Sequence, residues 1–326
     1  MKINMSHGSG GKASAELMEA VFAKHFSNSI LDRMEDAAVL TVNGRIAFST
    51  DSFVVTPIFF NGGDIGKLAV CGTVNDLLVM GAIPLYLTAG FILEEGLEID
   101  ELEKIVISMK KAADEAGIRI VAGDTKVVEG SGGLYINTSG IGQIPEGRDI
   151  SASNCRDGDA LILSGNLGDH HACILSARMK IENNIASDCA PLNDIMDALF
   201  AADVRIRAMR DVTRGGLGTI LNELADTSGC AIEIEETALP VSDEVSGFSN
   251  ILGLDPMYMA NEGKVLVVVA GEDAEKALAA IRATVNGGGA ALIGRAAGGR
   301  GVSMLTAIGG RRTVDVLYGE GLPRIC

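Results

Sequence analysis

The chain has 326 residues, 47% of them hydrophobic, with a formal charge of -16; that is material for a substantial core and, at roughly 150 residues per domain, for two domains. The acidity and the absence of Lys/Arg clusters argue against a nucleic-acid or anionic-membrane surface. No apolar run approaches the roughly 18 residues of a membrane span, and no basic-then-apolar leader is read, so the expected location is cytoplasmic.

In chain order, Ser6-His7-Gly8-Ser9-Gly10-Gly11-Lys12 comes first, ahead of a helical pattern over 13–23. Glycines let backbone amides approach an anion, and a following helix start and Lys12 would add to the attraction, so the segment reads as an anion cradle or else as a loose N-terminal stretch. It is not a Walker A motif, and no strand precedes it as a dinucleotide fold requires. His7 is either a hydrogen-bond donor to chemistry or a loop histidine. Strands are expected at 46–51, 86–91, 118–121 and 134–137. Between them Asp64 can cap a helix through Leu78, and Asp100 with Glu103 makes a capping-box-like start to a helix ended by Gly117.

The polar, turn-rich stretch 142–158 marks a domain boundary. A second α/β unit follows, with strands expected at 160–163, 230–234 and 265–269 and helices near 194–201, 217–225 and 274–281. The expected division is 1–147, 148–304, and a glycine-punctuated arm, 305–326, that carries Cys326 at its end. A terminal thiol on such an arm can enter a deep site, which makes Cys326 a candidate substrate carrier or, in the plainer reading, a frayed end. The other cysteines, Cys71, Cys155, Cys173, Cys189 and Cys230, form no C-x-x-C pair and read as small buried hydrophobes. His170-His171 lacks a third metal ligand and reads as structural or exposed.

Asp36, Asp51, Asp76 (beside Asn75) and Asp124 each stand where an apolar element should continue. Carboxylates in such places are costly to desolvate unless a cation neutralises them, and magnesium bridging to nucleotide phosphates is the economical choice. Lys126, two residues past Asp124, and Glu262, just before a strand, could both reach a cleft between domains. Arg210 to Gly216, with Thr213, Arg214, Gly215 and Gly216, reads as a second anion or substrate loop feeding a helix.

These segments, together with Gly62 to Asp76, Asn261 to Lys264 and the terminal Pro323-Arg324-Ile325-Cys326, resemble the HypE family of nickel–iron hydrogenase maturation proteins over the full length. That family lies within the superfamily of aminoimidazole ribonucleotide synthetase, selenophosphate synthetase and thiamine monophosphate kinase. The terminal Pro-Arg-Ile-Cys is the specific part. One departure is Val212, where relatives favour proline.

The resemblance implies a two-domain α/β synthetase-like fold, with the N-terminal domain pairing with its copy in a homodimer through a β-barrel-like interface. It implies that a HypF-type carbamoyltransferase loads a carbamoyl group on Cys326, that ATP drives dehydration of the thiocarboxamide to a thiocyanate, and that cyanide then passes to a HypC–HypD complex. On that basis Gly8, Ser9, Gly10, Gly11 and Lys12 are expected on the ATP phosphates, with Asn75 and the Thr213 to Gly216 loop also on the nucleotide. Magnesium is expected on Asp36, Asp51, Asp76 and Asp124. Lys126 is expected to stabilise charge on the reacting oxygen, Glu262 to act as general base, and His7 to assist. A non-enzymatic carrier and a synthetase acting on a free small molecule are the rivals.

Overall fold

The structure, a computed structural model, describes residues 2–8, 12–33 and 37–317. Ser9, Gly10, Gly11, Asp36 and Cys326 lie outside the described residues. Helix α1 (Lys12–Leu17) runs through a π-helical turn, Met18–Ala23, into α2 (Lys24–Phe26), burying Leu17, Val21, Phe22 and Phe26. Phe22 seats this stretch on the first sheet, its ring centroid 4.8 Å from that of Phe91.

The first sheet is built from β1 (Arg45–Phe53), β4 (Ile83–Glu94), β5 (Arg119–Val128) and β6 (Leu134–Ile144), in the order β1-β6-β4-β5. A short ribbon of β2 (Phe59–Phe60) and β3 (Gly63–Asp64) leads into helix α3 (Ile65–Val79). Strands β4 and β5 are parallel and joined through helix α4 (Ile99–Glu115); the other pairs are antiparallel. The sheet is open in the single chain, so a barrel-like closure would require a second copy.

Asp64 caps α3 as its sequence suggests, accepting from the amides of Gly66 at 2.7 Å and Lys67 at 3.0 Å. The capping box at Asp100 does not form. The N-cap of α4 falls two residues earlier, at an extended Glu98 with no side-chain cap, and Glu103 turns instead to Lys24 at 2.6 Å and His25 at 3.0 Å. Along α3 every residue but Lys67 and Asp76 is buried. A helix apolar all round must be covered all round, and α3 lies between the first sheet and the second half of the chain.

That second half forms a sheet of seven strands, in the order β13-β12-β9-β11-β7-β10-β8. They are β7 (Ala160–Leu163), β8 (Ile206–Asp211), β9 (Ala231–Glu235), β10 (Val265–Val269), β11 (Ala291–Ala297), β12 (Gly301–Leu305) and β13 (Arg311–Thr313). Helices α5 (Asp169–Met179), α6 (Asn193–Ala201), α7 (Gly216–Ser228), α8 (Asp243–Leu252) and α9 (Ala274–Arg282) cover it. β10 is buried on both faces, and its alternation splits it between two cores. Val265, Val267 and Val269 join a cluster continuous with α3 and the first sheet, whereas Leu266 and Val268 pack into a second cluster with Leu217, Leu221 and Leu224 of α7. The two halves therefore share one apolar core.

The arm expected from residue 305 leaves the sheet later than the sequence suggests. β13 pairs with β12, the Val314 amide donates to Val302 O at 3.0 Å, and Tyr258 Oη donates to Asp315 O at 2.8 Å. Among the described residues no helix is long and apolar enough to cross a membrane.

Candidate functional site

The seam between the halves draws several half-buried acids together. Asp51 leaves β1 on the face that meets α3, where Thr73 Oγ1 donates to its carboxylate at 3.5 Å, and Ser49 Oγ donates to Asp76 at 2.5 Å. Burial, then the neighbouring Asp76 carboxylate, pushes Asp51 up to about 6. Asp211 closes β8 on the opposite side of the seam; burial and then Asp76 raise it to about 7, with Asp51 contributing further. The Arg214 side chain offsets part of the shift on Asp51. Hard oxygens crowded at this cost suit a magnesium ion that also carries phosphate oxygens. Among the described residues no three His, Cys, Asp or Glu side chains converge closely enough to hold a metal unaided, so phosphate would have to complete the coordination.

Asp124 is not in this group. It pairs in register with Gly90, Gly90 with Asn137, and Asn137 with Ser52. Because side chains alternate along a strand, that row lies on the face opposite Asp51. There Asp124 binds Lys126 Nζ at 2.8 Å, and this hydrogen-bonded ion pair holds its carboxyl below the usual range. Phe48, Ile46 and Ile92 are exposed on the same outer face, Phe48 by 67%.

Glu262 enters the seam from the second half, and burial followed by the charges of Asp188 and Asp211 raises its carboxyl well above the usual range. Its own amide and that of Gly263 donate to Asp188 Oδ1 and Oδ2, each at 3.1 Å, and Lys264 Nζ lies 3.1 Å from Oδ2. Asn75, expected on the nucleotide, is spent elsewhere. Its Nδ2 donates to Ala190 O at 3.1 Å and Glu262 O at 3.3 Å, while its Oδ1 accepts from the Leu192 amide at 3.0 Å. Both of its donor hydrogens are thus used in clasping the two halves.

The remaining candidates are dispersed. His7 is buried with its Nδ1 accepting from the Asn4 amide at 3.1 Å, which ties down the loop before the glycines. Gly8 sits against β5, where an added Cβ would lie 2.9 Å from Val127 Cβ. Lys12 is exposed, 3.6 Å from Glu16. Thr213, Arg214, Gly215 and Gly216 lead into α7 as expected of an anion loop; Gly216 has φ +62° and no room for a side chain, since a Cβ would lie 2.5 Å from Met257 O.

Sequence reasoning missed Asp211 as an acid of the cleft and Asp188 entirely. Asp211 carried a detectable signal, a carboxylate opening the Asp211 to Gly216 loop already read as an anion or substrate loop; Asp188 carried none. Of the cysteines expected as small buried hydrophobes, Cys71, Cys155, Cys173 and Cys189 are buried and Cys230 is half-buried; the neighbouring Cys71 thiol and burial together raise Cys189. His170 and His171 prove structural, each buried and lowered to about 4 by burial.

These two halves are those of an AIR synthase related protein: residues 34–144 match the N-terminal domain of that family and 156–306 its C-terminal domain. Carbamoyl dehydratase HypE of Rhodobacter capsulatus is 52% identical, covering 100% of this chain and 98% of that protein, and the Escherichia coli protein of the same name is 45% identical, covering 99% of each. A crystal structure of hydrogenase maturation protein HypE in complex with ATP superposes with a TM-score of 0.95 at 47% identity, covering 99% of both chains. A HypE–HypF complex contains a chain matching at a TM-score of 0.82 and 48% identity, covering 92% of this chain and 99% of that one. The chain belongs to the carbamoyl dehydratase HypE family of hydrogenase maturation enzymes.

Proposed function

We propose that this protein is an ATP-dependent carbamoyl dehydratase whose substrate is its own C-terminal cysteine, converting an S-carbamoyl Cys326 to a thiocyanate that supplies cyanide to the iron of a nickel–iron hydrogenase. The observation that carries the reading is the seam itself, where the proton-avid Glu262 of one half stands near Asp51 of the other and Asp211 beside it, and both of those aspartates neighbour Asp76. Amide oxygen leaves poorly. Transfer of the ATP γ-phosphoryl group to that oxygen releases ADP and, with loss of one of the two nitrogen protons, leaves a C=N bond and an oxygen carried as a leaving phosphate; loss of the remaining nitrogen proton with departure of that phosphate completes the C≡N bond. Glu262 is the base in this scheme, and its desolvated carboxylate, once ionised, is a stronger base than one in water.

Asp51 and Asp76, with Asp211 and in our reading Asp36, would hold magnesium, which supplies charge neutralisation for the phosphates, and Asp124, on the outer face with Lys126, would join a metal site only across a pair of chains. Gly8 to Lys12 and the Thr213 to Gly216 loop are assigned to the nucleotide by the same scheme. Lys126 stands with Asp124 on the outer face, so its role in stabilising the reacting oxygen depends on a second copy bringing that face to a site. The exposed Phe48, Ile46 and Ile92 there support a homodimer paired through the first sheet. We assign a HypF-type carbamoyltransferase as the donor partner, a HypC–HypD complex as the acceptor, and the cytoplasm as the location. The working division is residues 1–147 and 148–304, followed by the arm.

Intact mass spectrometry tests this. The protein is incubated with the carbamoyltransferase, carbamoyl phosphate and ATP, alongside a form lacking Cys326. A carbamoyl adduct on Cys326 that loses one water only with ATP hydrolysis is the expected result. An unmodified tail in a protein that still hydrolyses ATP with a small acceptor would return it to the free-substrate synthetases. A loaded tail that never dehydrates would leave a carrier. Separately, Glu262→Gln is expected to load normally and to lose dehydration by about a hundredfold or more.

A further inference from the structure

The segment 185–192 of the second half, outside any strand or helix, is bonded to the first half, and its bonds converge on the Glu262 loop. The Ser187 amide donates to Asn61 O at 2.8 Å, and Asn75 of α3 grips Ala190 O and the Leu192 amide. Between these anchors, Asp188 turns inward. Its side chain is 2% exposed, and its two oxygens accept from the Glu262 amide, the Gly263 amide and Lys264 Nζ. Contact between the two segments is so close that a Cβ on Gly263 would lie 2.0 Å from Asp188 O. Lys264, 11% exposed, in turn packs on Gly165 and balances the carboxylate's charge. A buried carboxylate with one cationic and two backbone donors is a rigid fixture, because each lost contact strands a desolvated polar group.

We infer that Asp188 is the positioning residue of the dehydration step, clamping the Glu262–Gly263 backbone so that the Glu262 carboxylate is presented to the substrate rather than left to the sway of a loop. The inference rests on the reading of Glu262 as base. The clamp fixes where the base stands and leaves nucleotide binding alone, since among the described residues Asp188 contacts none that is assigned to ATP. A displacement of about 1 Å in a catalytic group can cost around a hundredfold in rate.

Asp188→Asn is the test. The amide matches the carboxylate in shape but must turn its NH2 toward the loop amides or the Lys264 ammonium, setting donor against donor. With the full-length protein loaded on Cys326, the expected result is a kcat for water loss at least about tenfold lower, with KM for ATP and the extent of loading unchanged. In hydrogen exchange, the amides of Glu262 and Gly263 should exchange at least about tenfold faster while the α3 amides hold. An unchanged kcat would overturn the inference, and so would a kcat that falls together with ATP affinity and global stability. If Asp188→Asn does not fold, Asp188→Glu takes its place. Its carboxylate stands one methylene further out and must displace the loop, so kcat should fall with KM for ATP constant; wild-type kcat overturns the proposal. Glu262→Gln, run in parallel, separates the two levels. Full dehydration by that variant removes the base reading and this inference with it, whereas its failure beside a fully active Asp188→Asn removes this inference alone.

Discussion

Replacing Asn75 by alanine asks how much of the molecule's cohesion is held by one amide. Asn75 is 2% exposed, and its loss would leave the Leu192 amide, in a residue 0% exposed, without its 3.0 Å acceptor, and would take a donor from Ala190 O and Glu262 O. An orphaned buried N–H costs about 1–3 kcal/mol, and each carbonyl, which keeps a second lone pair, about half a kcal/mol to 1 kcal/mol. The expected loss is about 3 kcal/mol, or roughly 4 °C in Tm for a chain of this length. Urea unfolding and calorimetry on the nucleotide-free protein measure it, and the rise in Tm on adding Mg-ATP should survive. If Asn75 were instead a nucleotide ligand, the free protein would be within about half a kcal/mol of wild type and only the Mg-ATP increment would disappear. A loss under about 1 kcal/mol would refute the clasp.

The raised carboxyls set a pH dependence of definite sign. Asp51 and Asp211 hold protons more tightly folded than unfolded, with values of about 6 and about 7 against 3.8, so their contribution is full below about pH 4 and is lost as pH rises through about 7. Denaturation of the nucleotide-free protein across that range should show the decline, and Mg-ATP should flatten it; a contribution that rises with pH would contradict the burial of these acids. Asp211→Asn should leave the free protein as stable as wild type or more so, because a desolvated charge is removed, while weakening Mg-ATP binding at least about tenfold by calorimetry. Unchanged binding would take Asp211 out of the cation's reach. Gly263→Ala, whose Cβ would lie 2.0 Å from Asp188 O, should lower stability by about 2 kcal/mol or more in urea titration; a neutral effect would mean that the segments do not touch.

Much of the secondary structure was written in local chemistry. Asp64 ahead of an apolar run specifies the start of α3, Gly117 the end of α4, and the unbroken Val265–Val269 a strand covered on both faces. Elements that escaped notice have locally ambiguous sequences. β11 carries Gly294, where a Cβ would lie 2.1 Å from Glu233 O, and β8 interleaves Arg207 and Arg210 with its apolar residues. Glu103 illustrates the reverse failure: its spacing from Asp100 was right for a capping box, but a lysine and a histidine from another helix offered better partners.

By itself the sequence determined the acidic, two-part α/β character, the family, and which residues could do chemistry, because these follow from residue types and short-range spacing. Only the tertiary structure decided which of them meet. Strand alternation sends Asp124 and Lys126 to the outer face and Asp51 to the inner one. Packing of the two halves brings Asp211 to Asp76 and turns Asn75 from a candidate ligand into a clasp. It also joins Asp188 to a glutamate 74 residues away. Such encounters depend on long-range packing in a shared core, where burial gives each charge its cost and each hydrogen bond its consequence, and no local pattern encodes that distance.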